Sequence, residues 1–187
     1  MTERINFDKK VKMGLACSKD DLRPLMGCIY FKDGYAYASD GLILVKNKVS
    51  EISTISEDQI AQLNDVYLHA ETYDKVVKYD TIDISAEGIE CTSGDKKAFF
   101  YFQVMEDAKY PNADSVLNDM LNKPAASIPV CVFDTDLLSR IQKAMPDAKN
   151  LRFRFKQDKH AVHAVVESEN SDYSSVGIIM GRMLLKD

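Results

Sequence analysis

The sequence lacks the segments that would place a protein in a membrane or in an oxidising compartment. It has no apolar run approaching the ~20 residues that cross a bilayer, and its first residues lack the apolar stretch of a secretory signal. Its four cysteines are scattered and form no C-x-x-C pair, a pattern typical of reduced thiols packed as small hydrophobic side chains. These absences predict a cytoplasmic protein with no membrane partner.

Motifs of catalysis and cofactor binding are also missing. The sequence contains no P-loop, no G-x-G-x-x-G motif and no G-x-S-x-G motif. His160 and His163 come nearest to a metal pair, but a three-residue offset in a predicted strand puts them on opposite faces, and no third ligand is evident. We therefore predict no catalytic residue, no metal and no cofactor. The protein is not expected to be an enzyme.

The composition is that of an ordinary folded chain. Hydrophobic residues make up 45% and charged residues 28% of the 187 residues, enough to bury a core as one large domain or two small ones. The net charge of −5 argues against a protein that wraps DNA with its whole surface. A local basic stripe on an acidic body remains compatible with this charge, because binding depends on where the charges lie.

Two Asp-Gly dipeptides mark the clearest stretch of β-structure. Runs of strand-forming residues flank Asp33-Gly34, a dipeptide that accepts the positive φ angles of a tight hairpin turn. A third such run follows Asp40-Gly41. Ahead of these three strands, residues 7–19 predict a helix with Asp8 as its N-cap.

The same order of elements recurs twice, which predicts an internal repeat of one strand, one helix and three strands. The second unit has a strand at 66–69, a helix at 71–78 and strands at 82–84, 88–91 and 98–102. The third unit has a strand at 130–133, a helix at 134–145 and strands at 151–155, 161–166 and 177–180.

This repeat predicts an α+β fold in which curved antiparallel sheets carry helices on one face. Pro111 and Pro124 interrupt the connector at residues 106–128, which follows the second unit, and they predict a domain boundary near Pro124. We therefore expect two domains, one of two units at residues 1–122 and a shorter one of a single unit at residues 125–187.

Basic side chains recur at helical spacing on two of the predicted helices. Lys9, Lys12 and Lys19 form one stripe, and Arg140 and Lys143 lie opposite the buried face of the third unit's helix. For one helix alone, exposed lysines are most simply explained by solubility. Stripes on two equivalent helices favour a surface that follows the phosphates of duplex DNA without reading its sequence.

Four stretches of sequence, in order, resemble segments of one family. They are Ala16–Gly27, the run Ala-Ser-Asp-Gly-Leu-Ile-Leu at 38–44, the run from Tyr110-Pro111-Asn112 to Leu117, and the tail from Ile178 to Leu184. Together with the repeat beneath them, they resemble the bacterial DNA polymerase III β sliding clamp. The second stretch is similar to the family's Ala-Thr-Asp-Gly-His-Arg-Leu motif, although Leu42 and Ile43 replace its His-Arg.

The resemblance implies a function as well as a fold. Clamps of this family encircle duplex DNA with their helices towards the hole, and they tether replication and repair proteins through short peptides that dock in an apolar pocket. By motif position, that pocket would use Leu44, Ile178 and Met180. Plain core packing is an equally good explanation of these three side chains. The DNA-contacting residues would be Lys9, Lys12, Lys19, Arg140 and Lys143.

Two functions from different classes follow from this resemblance. The first is a DNA-binding or processivity factor that contacts duplex DNA non-specifically, tethers replication proteins and self-associates into a homo-oligomer. The second is a protein-interaction module or regulator that has kept the fold and lost DNA binding. The lysine stripe favours the first function. The negative net charge, and Ile43 in place of the arginine of the family motif, favour the second.

Overall fold

Antiparallel β-structure dominates the protein. The computed structural model describes residues 4–104, 109–127, 131–158, 161–170 and 172–181. These residues form strands β1 (Cys28–Lys32), β2 (Tyr35–Ser39), β3 (Ile43–Lys48), β4 (Val66–His69), β5 (Thr81–Ile84), β6 (Gly88–Ser93), β7 (Lys96–Tyr101), β8 (Leu151–Asp158), β9 (Ala161–Ser168) and β10 (Val176–Met180). The α-helices among them are α1 (Glu57–Gln62), α2 (Ala70–Val76), α3 (Ala113–Asn122) and α4 (Thr135–Ala144).

The strands form two sheets. The larger has seven strands in the order β4-β1-β2-β3-β10-β9-β8, and the smaller has three in the order β5-β6-β7. Every neighbouring pair is antiparallel. The predicted α+β fold with antiparallel sheets is therefore confirmed. Because β3 pairs with β10, one sheet runs across the expected domain boundary near Pro124, and the division into two domains stays a prediction.

The large sheet is covered on both faces because its side chains alternate. Val45, Val166 and Ile179 point into the main core with residues of α2 and α4. Their neighbours Leu44 and Ile178 point into a second core, which holds residues of α3. Helices α2 and α4 thus lie on one face, as predicted, while α3 lies on the other.

The predicted helix at residues 7–19 is wrong. Only Met13–Ala16 is helical there, as a short 3-10 turn. In an α-helix capped at Asp8, Lys12 N would donate to Asp8 O, but here it donates to Lys143 O at 2.7 Å. Asp8 N donates to Ile52 O at 2.7 Å, which ties the start of the segment to a different part of the chain. Gly14 also lies close against α2, and a Cβ there would be 3.2 Å from Ala70 O. Tertiary contacts therefore override the local helical pattern.

The third unit also departs from the predicted order. Residues 131–133 form no strand, and Val130 lies outside the described residues. The edge of β8 is paired instead with the connector, where Ala126 N donates to Phe155 O at 3.1 Å and Gln157 N donates to Pro124 O at 3.0 Å. The three later strands and the helix of this unit lie where the sequence placed them.

A glycine lets α4 approach the junction of β3 and β10. Gly177 is buried in β10, and a Cβ at this position would lie 2.8 Å from Ile141 Cδ1 and 2.9 Å from the Leu44 carbonyl oxygen. The first contact is the end of a side chain, but the second is backbone of the paired strand. A larger residue must therefore disturb the pairing, the helix or both.

We expect Gly177→Ala to lower the free energy of unfolding by about 1–3 kcal/mol, as overpacked cores do. Urea denaturation measures the change. Gly27→Ala is the matched control, because a Cβ there meets no atom closer than 3.6 Å. Ile141→Val removes the Cδ1 atom. The Gly177→Ala, Ile141→Val double variant should therefore lose less free energy of unfolding than the sum of the two single losses. A loss no larger than that of Gly27→Ala would contradict the close contact.

Candidate functional site

An apolar cleft opens on the face of the large sheet that carries α3. Its volume is about 200 Å³, and its lining is almost entirely apolar. Leu44 and Ile178 are direct cross-strand partners on β3 and β10, and they are 6% and 2% exposed, so they form its floor. Met180 stands beside them at the end of β10. The structure thus brings together the three residues that the sequence assigned to a partner-peptide pocket.

The walls of the cleft come from residues that sequence reasoning did not assign. Tyr110 and Pro111 line one side, together with Ala113 and Val116 of α3. The other wall includes Met26 and Leu42. Val116 and Leu42 are 43% and 53% exposed, which leaves their apolar side chains free to meet a ligand at the rim of the cleft. The spacing of Ala113, Leu117 and Met120, with Asn112 as N-cap, was a signal of α3 that the sequence analysis missed.

Aromatic stacking supports the wall formed by Tyr110. Its ring stacks on Tyr30 at a centroid distance of 5.1 Å, and Tyr30 stacks on Tyr67 at 4.9 Å. The Tyr30 hydroxyl also donates to Asp65 at 2.5 Å. Such offset stacks contribute roughly 0.5–1.5 kcal/mol each beyond the area they bury. The segment that precedes α3 is therefore fixed against β1 and β4.

Asp114 anchors α3 to the sheet. Its carboxylate accepts a hydrogen bond from the Tyr37 hydroxyl at 2.9 Å and one from Lys46 Nζ at 2.6 Å. Lys46 also lies over the Tyr35 ring, 4.1 Å from its centroid. Partial burial alone would raise the pKa of Asp114, but the hydrogen bonds from Lys46 and Tyr37 outweigh it and lower the pKa below its ordinary value. The ionised carboxylate is thus the form that holds α3 and the cleft wall in place.

We expect acid to weaken this anchor. A carboxyl group whose pKa is lowered in the folded state stabilises it above the ordinary pKa of ~3.9, and that contribution is lost as the pH falls through the lowered value. Asp114→Asn should therefore lower the melting temperature at pH 7, and its difference from the wild type should shrink in acid. Asp119→Asn on the exposed side of α3 is the control. If the two substitutions changed the melting temperature equally at every pH, the anchoring role of Asp114 would be contradicted.

Four lysines surround a groove on the opposite face of the sheet. Lys9, Lys12, Lys78 and Lys143 line a cavity of about 550 Å³ with Leu15, Val77 and Asp74, and we call it the basic groove. All four lysines are exposed, and none forms a salt bridge within the described part of the chain. The hydrogen bond between Lys12 N and Lys143 O brings two of them together. Lys78, which follows α2, was missed by sequence reasoning.

The other two basic residues predicted to touch DNA lie elsewhere. Arg140 is held inside the protein, where its guanidinium donates to the Leu15 carbonyl at 2.7 Å and pairs with Asp40 at 2.6 Å. Its side chain is only 21% exposed, so phosphate contact would break an existing ion pair. Lys19 is exposed but lines two neighbouring cavities rather than the basic groove. The helical stripe that grouped Lys9, Lys12 and Lys19 does not form, because residues 7–12 are not helical.

The histidines weighed as a metal pair do not form a site in the described residues. His163 Nε2 lies 3.9 Å from Asp158, and its Nδ1 accepts a hydrogen bond from Gly181 N at 3.3 Å. His160 lies outside the described residues. Within the described ranges, no three His, Cys, Asp or Glu side chains are grouped so that they could hold a metal ion. No helix of the described chain is long and apolar enough to cross a membrane.

Comparison with known proteins identifies the fold. No family model and no curated protein sequence matches this chain. Among solved structures, the DNA polymerase sliding clamp of Pseudomonas aeruginosa matches with a TM-score of 0.62 and 12% identity, covering 94% of this chain and 64% of that one. The DNA polymerase III β subunit of Thermotoga maritima matches with a TM-score of 0.57 and 13% identity, covering 96% and 63%.

The sliding clamp of Bacillus subtilis gives a similar result, with a TM-score of 0.52 and 12% identity over 98% of this chain and 65% of that one. The chain therefore has the fold of bacterial sliding clamps, as its sequence motifs predicted. It spans under two thirds of the length of these clamps. At such low identity the likeness establishes the fold, and the sites must be argued from the chain's own residues.

Proposed function

We propose that this clamp-fold protein is a non-catalytic tether that contacts duplex DNA through the basic groove and holds a short peptide of a replication or repair protein in the apolar cleft. The observation that carries the proposal is the placement of the two sites. The groove lies beside α2 and α4, whereas the cleft lies beside α3 on the other face of the same sheet. Duplex DNA in the groove and a peptide in the cleft would therefore not compete for the same surface, and a tether must hold both at the same time.

The chemistry of the cleft selects its ligand. A small cavity with a buried aliphatic floor and exposed apolar rims gains most from large apolar side chains that leave water. The cleft offers few polar partners, so an extended peptide with two adjacent large apolar residues fits it better than a charged metabolite does. The neighbouring solved structures are polymerase sliding clamps, which supports a replication or repair protein as the source of that peptide.

The basic groove selects phosphate rather than base edges. Its lysines are flexible point charges on the surface, which neutralise phosphates and release counterions without reading sequence. The net charge of the chain is −5, so DNA contact is confined to the groove and does not extend over the whole surface. The negative charge of Asp74 in the groove wall also limits the affinity of the groove for phosphates. We therefore expect weak, salt-sensitive binding of duplex DNA.

The second candidate function is an interaction module that binds its partner peptide and no DNA. The internal ion pair of Arg140 favours it, because this removes one of the five basic residues first expected at a DNA surface. The two functions share the cleft and differ only in the groove. DNA binding measured at low salt distinguishes them.

Leu42→Ser should weaken binding of a fluorescent peptide that carries an adjacent Leu-Phe pair by at least about tenfold, which corresponds to 1.4 kcal/mol. Leu42 forms an exposed rim of the cleft, so its replacement removes apolar area from the rim without opening the core. Leu22→Ser is the matched control, because Leu22 is 90% exposed and lies outside the cleft. Fluorescence anisotropy gives both affinities. Equal affinities for the two variants would show that the peptide binds elsewhere.

Replacing Lys9, Lys12 and Lys143 together with alanine should reduce affinity for unrelated DNA duplexes equally. A plot of log affinity against log salt has a negative slope, and its magnitude should decrease by roughly 0.9 for every phosphate that is no longer neutralised. The control removes the same charge at Lys48, Lys96 and Lys149, which are exposed and outside the groove. Anisotropy of labelled duplexes across a salt titration measures both. If the wild type binds no duplex at low salt, the interaction-module function replaces the tether.

A further inference from the structure

A histidine lies beside the end of β10, where that strand borders the apolar cleft. His163 of β9 is the direct cross-strand partner of Met180, so the two side chains lie next to each other on the same face of the sheet. Met180 lines the cleft, whereas His163 is 8% exposed and does not line it. The imidazole is therefore placed to affect the cleft through Met180, without touching a ligand.

Two hydrogen bonds on opposite sides hold the end of β10. Met180 N donates to Leu42 O, at the rim of the cleft, at 2.9 Å. The next N–H group along the strand turns towards β9, because successive residues of a strand face opposite neighbours. There Gly181 N donates to His163 Nδ1 at 3.3 Å. Met180 thus lies between a bond to the cleft rim and a bond to the imidazole.

The bond to the imidazole requires a close approach of the backbone at Gly181. A Cβ at this position would collide with the carbonyl oxygen of Val162 and would lie 3.3 Å from Phe133 Cε1. Any side chain would therefore push the end of β10 away from β9. The absence of a side chain is what brings the Gly181 N–H group within reach of His163.

The same bond fixes the protonation state of the ring. Because Nδ1 of His163 accepts from Gly181, the neutral ring carries its hydrogen on Nε2, which lies 3.9 Å from a carboxylate oxygen of Asp158. A protonated ring has hydrogens on both nitrogens and no acceptor. Its Nδ1–H would then face the N–H of Gly181. The cation therefore loses the bond to Gly181 and is attracted towards Asp158.

The charged groups that face the imidazole come from β8 and from the end of α3. Among the described residues they are Asp158 and Lys156 of β8, which share its face of the sheet, and Lys123, which pairs with Asp158 at 3.0 Å. The described part of β10 contributes no charge. Burial lowers the pKa of His163, Asp158 raises it and Lys123 lowers it, so that the pKa lies below its ordinary value of ~6.5.

We propose that His163 is a positioning residue that makes peptide binding in the apolar cleft sensitive to pH. The neutral ring holds Gly181 and thereby fixes Met180 at the border of the cleft. The protonated ring releases this end of β10. The proposal rests on the proposed function of the cleft as a peptide site, whereas the bond between Gly181 and His163 does not.

The pH range follows from the direction of the shift. A histidine whose pKa is lowered in the folded state makes its full contribution above the ordinary pKa of ~6.5, and that contribution is lost as the pH falls through the lowered value. The end of β10 should therefore be held at neutral pH and released in mild acid. This range lies above the one in which Asp114 titrates, because the pKa of Asp114 is lower than ~3.9.

Peptide affinity as a function of pH tests the proposal. The probe is a fluorescent peptide with an adjacent Leu-Phe pair, blocked at both ends and free of histidine and acidic residues, so that only the protein titrates. Its affinity for the wild type should fall by about three- to tenfold between about pH 7.5 and about pH 5, as expected for the loss of one hydrogen bond. His163→Asn should keep its affinity, because its Oδ1 takes the place of Nδ1 and accepts from Gly181 at either pH.

His69→Asn is the matched control. His69 Nδ1 also accepts from a backbone N–H group, that of Glu71 at 3.3 Å, but this histidine does not line the cleft. The control variant should lose affinity in acid as the wild type does. Two results would overturn the proposal: a wild-type affinity that is equal at both pH values, or a His163→Asn variant that loses affinity as the wild type does.

A second measurement needs no peptide. With carbon-13-labelled methionine methyl groups, the NMR signal of Met180, assigned through Met180→Leu, should shift in acid with the same midpoint as the imidazole signal of His163. A Met180 signal that does not follow this titration would overturn the inference even if the peptide binds. If no peptide binds at either pH, the proposed function of the cleft is wrong, and the Met180 signal decides whether His163 positions Met180.

Discussion

The pairing of β3 with β10 is the constraint on which the rest of the structure depends. It joins strands more than a hundred residues apart in sequence into one sheet and sets Leu44 directly opposite Ile178. Those two side chains form the floor of the apolar cleft on one face. On the other face Gly177 lets Ile141 approach the same junction, so α4 packs over the seam. The cleft and the position of α4 are therefore two results of one strand pairing.

A buried amide fixes the N-terminal segment to this arrangement. Asn47 of β3 is fully buried, and its Nδ2 donates to Ala144 O at 2.8 Å and contacts Met13 Sδ at 2.8 Å. One side chain thus links the sheet, the end of α4 and the 3-10 turn. With the backbone bond from Lys12 to Lys143, it sets the place where two segments bring their lysines together. The basic groove is a product of tertiary contacts and not of one amphipathic helix.

The sequence allowed good prediction where local chemistry decides the structure. The turn before β2 formed at Asp33-Gly34 with φ angles of 49° and 79°, as such dipeptides favour. Residues 7–19 were misassigned because their backbone groups bind other segments, a choice that helical spacing cannot reveal. Lys9, Lys12 and Lys143 do lie together, although the predicted reason was wrong. The floor of the cleft followed from family motifs, whereas Arg140 shows that an exposed position on a helical wheel can still be held by a distant carboxylate.

The tyrosine stack beside the cleft has an optical consequence. The protein contains nine tyrosines and no tryptophan, so phenol rings dominate its ultraviolet emission. Tyr110 lines the cleft and stacks on Tyr30, which in turn stacks on Tyr67. A ligand that enters the cleft changes the surroundings of the first ring in this series. The unlabelled chain therefore carries its own fluorescent reporter of cleft occupancy, with no brighter indole emission to mask it.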